Sequence, residues 1–233
     1  MPGSTRGKLL QSYFDQFASD IVVLTETHQN LRPTGDYVGV HSGTPDYSHA
    51  DGECMCSIWS KMPLLPLIEH VSDKARCTAA RATLSDDQSV VVCAIVLPWI
   101  GDDWQKNPSR DGQAFSRALD CYREDWRRLR TKFPKDDFIL AGDFNQDLIA
   151  GHYYGSKHQK SLLKDALLAD GLVPLTAGAD DPVHRDSSPH ACIDHICIST
   201  ESHFVLDTVQ RWPDTPAPDH GFSDHFAITV KLK

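Results

Sequence analysis

The sequence predicts a mixed fold of the α/β (α+β) class, and three observations carry that expectation. Short apolar runs such as Phe138-Ile139-Leu140-Ala141 and Ile21-Val22-Val23-Leu24 read as buried strands, each running into a carboxylate. Four strand-like runs (37–41, 54–59, 79–84 and 90–97) follow one another with no helical stretch between them. Such a series argues for an antiparallel block rather than a pure βαβ array. Apolar stripes at helical spacing occur in three places only, at 8–18, 115–133 and 162–171. The chain has 233 residues, 40% hydrophobic and 24% charged, with no compositional seam, which suits one domain over 1–233 with a full core.

Taken in order, the chain opens with a helix whose buried face carries Leu9, Leu10, Tyr13, Phe14 and Phe17. The strand at 20–25 follows and ends in Glu26-Thr27-His28. A helix-first opening is unusual, because that helix has no preceding strand to pack beneath. The runs 37–41 and 54–59 read as a strand pair across a polar loop, and 79–84 and 90–97 as a hairpin around Ser85 to Ser89. Pro98-Trp99 closes the hairpin, and the polar loop 99–110 contains Trp99, Trp104 and Arg110. The long helix after it packs Phe115, Leu119, Tyr122, Trp126, Leu129 and Phe133 and stops before Pro134. Arg127, Arg128, Arg130 and Lys132 in its last turns suit the negative end of the helix dipole and read as a solvated face. Beyond the central strand come a loop with His152, Tyr153 and Tyr154, a short helix, and a polar stretch with His184, Arg185 and His190. Strands at 191–198, 204–209 and 226–232 complete the chain, with a proline-rich loop over 211–220.

The chemistry starts at Gly142-Asp143-Phe144-Asn145, where an apolar strand ends in a carboxylate and a carboxamide, with Asp147 two residues on. Residues at the carboxyl end of a buried strand face the crevice where α/β sheets bind ligands. Strand alternation would aim Asp143 and Asn145 to one side and Phe144 to the other. An Asx-rich turn leaving a strand is the competing account of Asp-x-Asn taken alone. Further acids stand at strand ends: Glu26 after the first strand and Asp224 before the last, with Asp194 inside a strand beside His195 and His225 beside Asp224. Hard oxygen donors without cysteine point to Mg²⁺ or Mn²⁺. A histidine held by a carboxylate is biased towards its charged form, and a further carboxylate can take a proton from water. That inventory fits hydrolysis of a phosphoester.

Leu24-Thr25-Glu26-Thr27, Gly142-Asp143-Phe144-Asn145, Ile193-Asp194-His195-Ile196 and Ser223-Asp224-His225 together resemble the ordered motifs of the endonuclease/exonuclease/phosphatase (DNase I-like) superfamily. The resemblance implies a four-layer sandwich, two mixed β-sheets face to face with flanking helices and the site at one end between them. It implies Glu26 and Asp224 at the metal, Asp143 on the attacking water, Asn145 on the scissile phosphate, and Asp194 supporting a phosphate-binding or acidic His225. His195 is expected to be a packing residue. Two departures accompany it. The family's usual first strand, with an Asn that reaches the metal, is missing ahead of the opening helix, which would leave a sheet edge uncovered. Val96 stands where a His or Tyr is usual before Pro98, so that group is lost or supplied by His152, His184 or His190.

The expected activity is a divalent-metal-dependent phosphodiesterase acting on DNA or RNA by direct water attack. The alternatives are a phosphomonoesterase on a small or lipid phosphate and a non-catalytic binding module on the same fold. Trp99, Tyr153, His184 and His190 are the candidate substrate-binding residues; Trp99, Trp104, Tyr153 and Tyr154 either stack on bases or pack their loops. The net charge of −9 gives no long-range attraction to phosphate backbones, but does not oppose an enzyme that meets phosphate through cations. Seven cysteines, mostly in apolar runs and without zinc spacing, suit buried reduced thiols. Residues 1–17 lack the apolar core of a signal peptide and no run is long enough to span a membrane, so a cytoplasmic protein without a membrane or obligate protein partner is expected.

Overall fold

The computed structural model of the chain describes residues 5–47, 49–85, 87–106, 113–185, 188–214 and 223–233. Arg110, part of the hairpin turn and most of the 211–220 loop lie outside them. The first helix, α1 (Thr5–Phe17), leads into β1 (Ile21–His28), which pairs antiparallel with β3 (Glu53–Ser60). The other edge of β3 takes β2 (Val38–His41), giving the order β1-β3-β2. Next come β4 (Leu64–Pro66), β5 (Cys77–Ser85), β6 (Gln88–Val96), α2 (Gln113–Lys132), β7 (Asp137–Asp143), α3 (Lys157–Ala169), β8 (Leu172–Pro174) and β9 (Asp194–Ser199). These strands form a six-stranded sheet in the order β4-β5-β6-β7-β9-β8. β10 (Leu206–Trp212) and β11 (Ala227–Leu232) pair as a separate antiparallel ribbon.

The four-strand block is therefore antiparallel pair by pair but divided between sheets, β2–β3 in one and β5–β6 in the other. Among the described residues only the β6–β7 ladder is parallel, since α2 lies between the two in sequence and a parallel pair needs a crossover. β6 reads as an unbroken apolar run because both its faces are covered. Val91, Cys93 and Ile95 join Phe115, Tyr122, Trp126 and Leu129 of α2 with Phe138 and Leu140 of β7. Val90, Val92 and Ala94 turn the other way, onto Val40, Cys56 and Ile58 of the three-stranded sheet. The two sheets thus pack as a sandwich with α2 and α3 on the outer face of the larger one. Each fully buried Phe, Leu or Ile contributes about 1.5–3 kcal/mol relative to exposure.

β4 and β8 escape a sequence reading because three-residue edge strands ending in proline carry no period. The 191–198 strand begins later than its apolar run, at Asp194, because the Cys192 N–H turns to the Asp181 carboxylate and leaves the ladder. β10 runs on through Arg211 and Trp212, which read as loop. All seven cysteines are free thiols, and six of them are buried.

Among the described residues, β1 pairs only with β3 and β11 only with β10. A cavity of about 1550 Å³ lies between them, bordered by Val22 and Leu24, Ile139 and Ala141, Ile228 and Val230, and by Leu10 and Phe14 of α1. Among the described residues no helix is long and apolar enough to cross a membrane.

Candidate active site

Two ladders bring the first pair of acids together. Asp143 ends β7 and stands directly across from Asp194 at the start of β9, while Val96 of β6 flanks Asp143 on the other side. Gly142 is required there: at φ 137° an added Cβ would lie 2.0 Å from the Ile95 carbonyl oxygen. Like charges directly opposite one another repel. Burial first, and then the neighbouring charge of Asp194, hold the Asp143 carboxyl well above the usual carboxylate range.

The repulsion is offset from the β11 side. His225 arrives on a short turn in which its own N–H donates to Ser223 Oγ at 3.0 Å, and its Nδ1 lies 2.7 Å from Asp194 Oδ2. That hydrogen bond pushes the imidazole up to about 10 against the opposing effect of burial, so His225 is a cation at neutral pH. Asp143, Asp194 and His225 bring their ligand-type atoms within 4.8 Å of one another.

Asn145 reaches Asp143 by a different route from strand alternation. The chain leaves β7 and Asn145 takes a left-handed conformation, φ 51°, which asparagine tolerates better than most residues. Its backbone N–H donates to Asp143 Oδ1 at 2.8 Å. Its carboxamide donates to Asp143 Oδ2 at 3.0 Å and to the Leu97 carbonyl at 2.9 Å. Both carboxamide protons are therefore engaged within the protein.

Glu26 sits in β1 but outside its ladder, which passes from Thr25↔Cys56 to Thr27↔Cys54, and has φ 45°. It is exposed, and its charge reaches Asp143. Backbone held in this region costs on the order of 1–3 kcal/mol and clusters at functional sites. Asp224 is exposed too, beside His225 on the rim of a small cavity with Tyr153, Cys192 and Asp194. Among the described residues neither Glu26 nor Asp224 has a hydrogen-bond or ion-pair partner. Asp143, Asp194 and His225 form the compact group, with Asp224 in the field of His225 and Glu26 in that of Asp143, and hard oxygen donors of this kind suit a divalent cation.

The four candidate binding residues separate. Tyr153 and His190 are neighbours, the Tyr153 hydroxyl 2.8 Å from His190 Nδ1, and Tyr153 borders the cavity beside His225. His184 lies one step behind, its Nδ1 3.3 Å from the His190 carbonyl. Trp99 is exposed two residues beyond the Leu97 carbonyl that Asn145 binds, with its ring over Gly101. Val96 is buried in the sandwich, and His152 lies 3.7 Å from Asp147. His195 is buried and kept neutral by that burial; its Nδ1 is 2.9 Å from Thr176 Oγ1 and its Nε2 3.0 Å from the Gln146 carbonyl. It packs as expected and also holds the backbone after Asn145. Sequence reasoning passed over Tyr47, whose phenol lies in the fields of Glu26, Glu53 and Arg76, and Arg76, which ties the loop of Asp46 to that of Asp102. No motif marks either one. Asp147 did carry a signal, as the second carboxylate after the central strand.

No curated protein matches the chain in sequence. Several solved structures share its fold. The 3′ phosphatase NExo from Neisseria, bound to a product DNA hairpin, superposes with a TM-score of 0.65 at 17% identity over 99% of this chain and 95% of its own. The endonuclease domain of TRAS1, a telomere-specific non-LTR retrotransposon, gives 0.64 at 14% identity, over 97% and 91%. TDP2 from D. rerio, complexed with single-strand DNA product, gives 0.62 at 13%, over 100% and 93%. The fold is thus the DNase I-like sandwich. The sequence model of the Endonuclease/Exonuclease/phosphatase family, whose members hydrolyse phosphoesters and typically use divalent metals, matches residues 3–225, and the chain belongs to that family.

Proposed function

We propose that the protein is a Mg²⁺- or Mn²⁺-dependent phosphodiesterase that hydrolyses DNA or RNA by direct attack of water. The observation that carries this reading is the Asp143–Asp194–His225 cluster at the end of the sandwich, with His225 held as a cation 2.7 Å from Asp194. Two structural neighbours described with bound DNA products support nucleic acid as the substrate class.

Glu26 and Asp224, the two unpaired carboxylates, would hold the metal. When bound, it neutralises the phosphate and stabilises charge on the leaving oxygen. The chain's own residues do the rest. Asp143 accepts the proton of the attacking water as the new P–O bond forms and the bond to the leaving oxygen breaks. Asn145 spends its donors on Asp143 and Leu97, so its role is to fix the direction in which Asp143 faces. His225 turns its remaining N–H towards a phosphoryl oxygen, and Asp194 keeps the ring charged and oriented.

The test uses purified protein with plasmid DNA, RNA, bis(p-nitrophenyl) phosphate and p-nitrophenyl phosphate, each with Mg²⁺, Mn²⁺ or EDTA, beside Asp143→Ala. Cleavage of the diesters that needs metal and falls by on the order of 10³ in the variant is expected. Cleavage of the monoester alone moves the assignment to a phosphatase. Equal activity in the variant identifies a contaminant, and no turnover on any substrate leaves a binding module on this fold.

A further inference from the structure

The segment after Asn145 is anchored far more strongly than a surface loop requires. Gln146 and Asp147 are completely buried. Asp147 pairs through Oδ1 with the Lys160 ammonium of α3, itself 7% exposed, and its Oδ2 accepts the backbone N–H groups of both Tyr153 and Tyr154 at 2.9 Å. The same ammonium donates to the Gly151 carbonyl at 2.6 Å. Gln146 accepts from the Ser156 N–H at 3.2 Å and donates to Gln159 Oε1 at 3.0 Å. Gly155, at φ 76°, lies so close over Gln146 that a Cβ would meet its side chain at 2.2 Å.

A buried ion pair is weak evidence for stability, since apolar residues of similar volume commonly stabilise as well or better. What this pair does fix is the position of two tyrosines. Tyr153, 39% exposed, borders the cavity beside Asp194, Asp224 and His225, and its ring meets His190 edge-on at 5.4 Å. Tyr154 stands in the fields of Asp143, Asp224 and Glu26.

We propose that residues 146–156 form a rigid arm presenting Tyr153 and Tyr154 as a stacking wall for the base next to the scissile phosphate, with Asp147 and Lys160 as its positioning residues. This rests on the phosphodiesterase reading above and adds to it the group that the enzyme recognises. Stacking on an aromatic ring is sequence-tolerant, so the wall would grip any base.

The experiment compares two diesters under Mn²⁺, thymidine 5′-(p-nitrophenyl phosphate), which carries a base, and methyl p-nitrophenyl phosphate, which does not. The ratio of their kcat/KM values falls about tenfold in Tyr153→Ala and in Lys160→Met, mainly through KM for the thymidine ester. A purely structural role for Lys160 lowers both esters alike and leaves the ratio in place, which overturns the proposal. If Lys160→Met does not fold, Tyr153→Ala and Tyr154→Ala decide, and an unchanged ratio in both overturns it. If the wild type hydrolyses neither ester, the phosphodiesterase reading has failed, and the wall is then tested by anisotropy with fluorescein-labelled oligothymidylate in EDTA. About tenfold weaker binding in Tyr153→Ala supports the wall; equal affinity, or no binding by the wild type, overturns it.

Discussion

The two sides of the candidate site are built to different standards. Asp143 and Asp194 stand on adjacent central strands of the six-stranded sheet, where continuous ladders and a filled core determine their separation. Among the described residues Glu26 stands on a β1 that pairs only with β3, and Asp224 and His225 lead into a two-stranded ribbon. Between β1 and β11 lies the cavity of about 1550 Å³, and His225 meets Asp194 across it through a single hydrogen bond, while β1 is held by its ladder to β3. The lesson is that one candidate site can draw half of its groups from central strands and half from edge elements. Changes on the central strands should remove chemistry outright, and changes on the edge elements should be recoverable.

The largest expected difference is therefore in turnover. Asp143→Asn should lower metal-dependent cleavage by on the order of 10³, a loss that extra cation does not restore. Glu26→Gln should instead weaken the apparent metal affinity by about tenfold or more, with activity regained as Mn²⁺ is raised. A metal titration of both variants makes the comparison; Glu26→Gln behaving as Asp143→Asn would erase the proposed division.

Stability should divide the same way. Leu140→Ala, in the core between β7 and α2, should cost about 2–5 kcal/mol in urea unfolding, because the site is fully packed. Val230→Ala, on the half-buried cavity wall, removes fewer contacts and should cost less than about 1.5 kcal/mol. Equal costs would mean that the cavity side is packed as well as the core.

The smallest effect concerns pH. Burial alone would raise the Asp170 carboxyl, but hydrogen bonds from Arg123 and Arg127 outweigh it and hold the group below its ordinary value. A carboxyl depressed in the folded state stabilises above its unfolded pKa of about 3.9 and loses that contribution as pH falls through the folded value. Thermal melts should thus show a shallower loss of stability below about pH 4 in Asp170→Asn than in the wild type.

Much of this was legible without coordinates. The apolar runs at 21–24, 90–97 and 138–141 announced their strands because burial on both faces leaves little room for polar residues. The stripe of α2 announced its buried face for the same reason. Asp143, Asp194 and His225 stood out in the sequence because a carboxylate at a strand end or inside an apolar run is costly without a purpose, and the fold brings the three together. The three-residue strands β4 and β8 did not, since no period fits into them. Strand alternation would put Asn145 on the same side as Asp143; a left-handed turn brings its carboxamide to Asp143 instead.

By itself, the order of residues determined the longer strands and helices and singled out the acids at strand ends, because both follow from local periodicity and from the energy of burying charge. Tertiary structure alone decided which strands share a sheet, that Asp143 faces Asp194, and that Asp147 meets both Lys160 and the backbone of Tyr153 and Tyr154. Those depend on register and on contacts between distant segments, and no local rule carries that information.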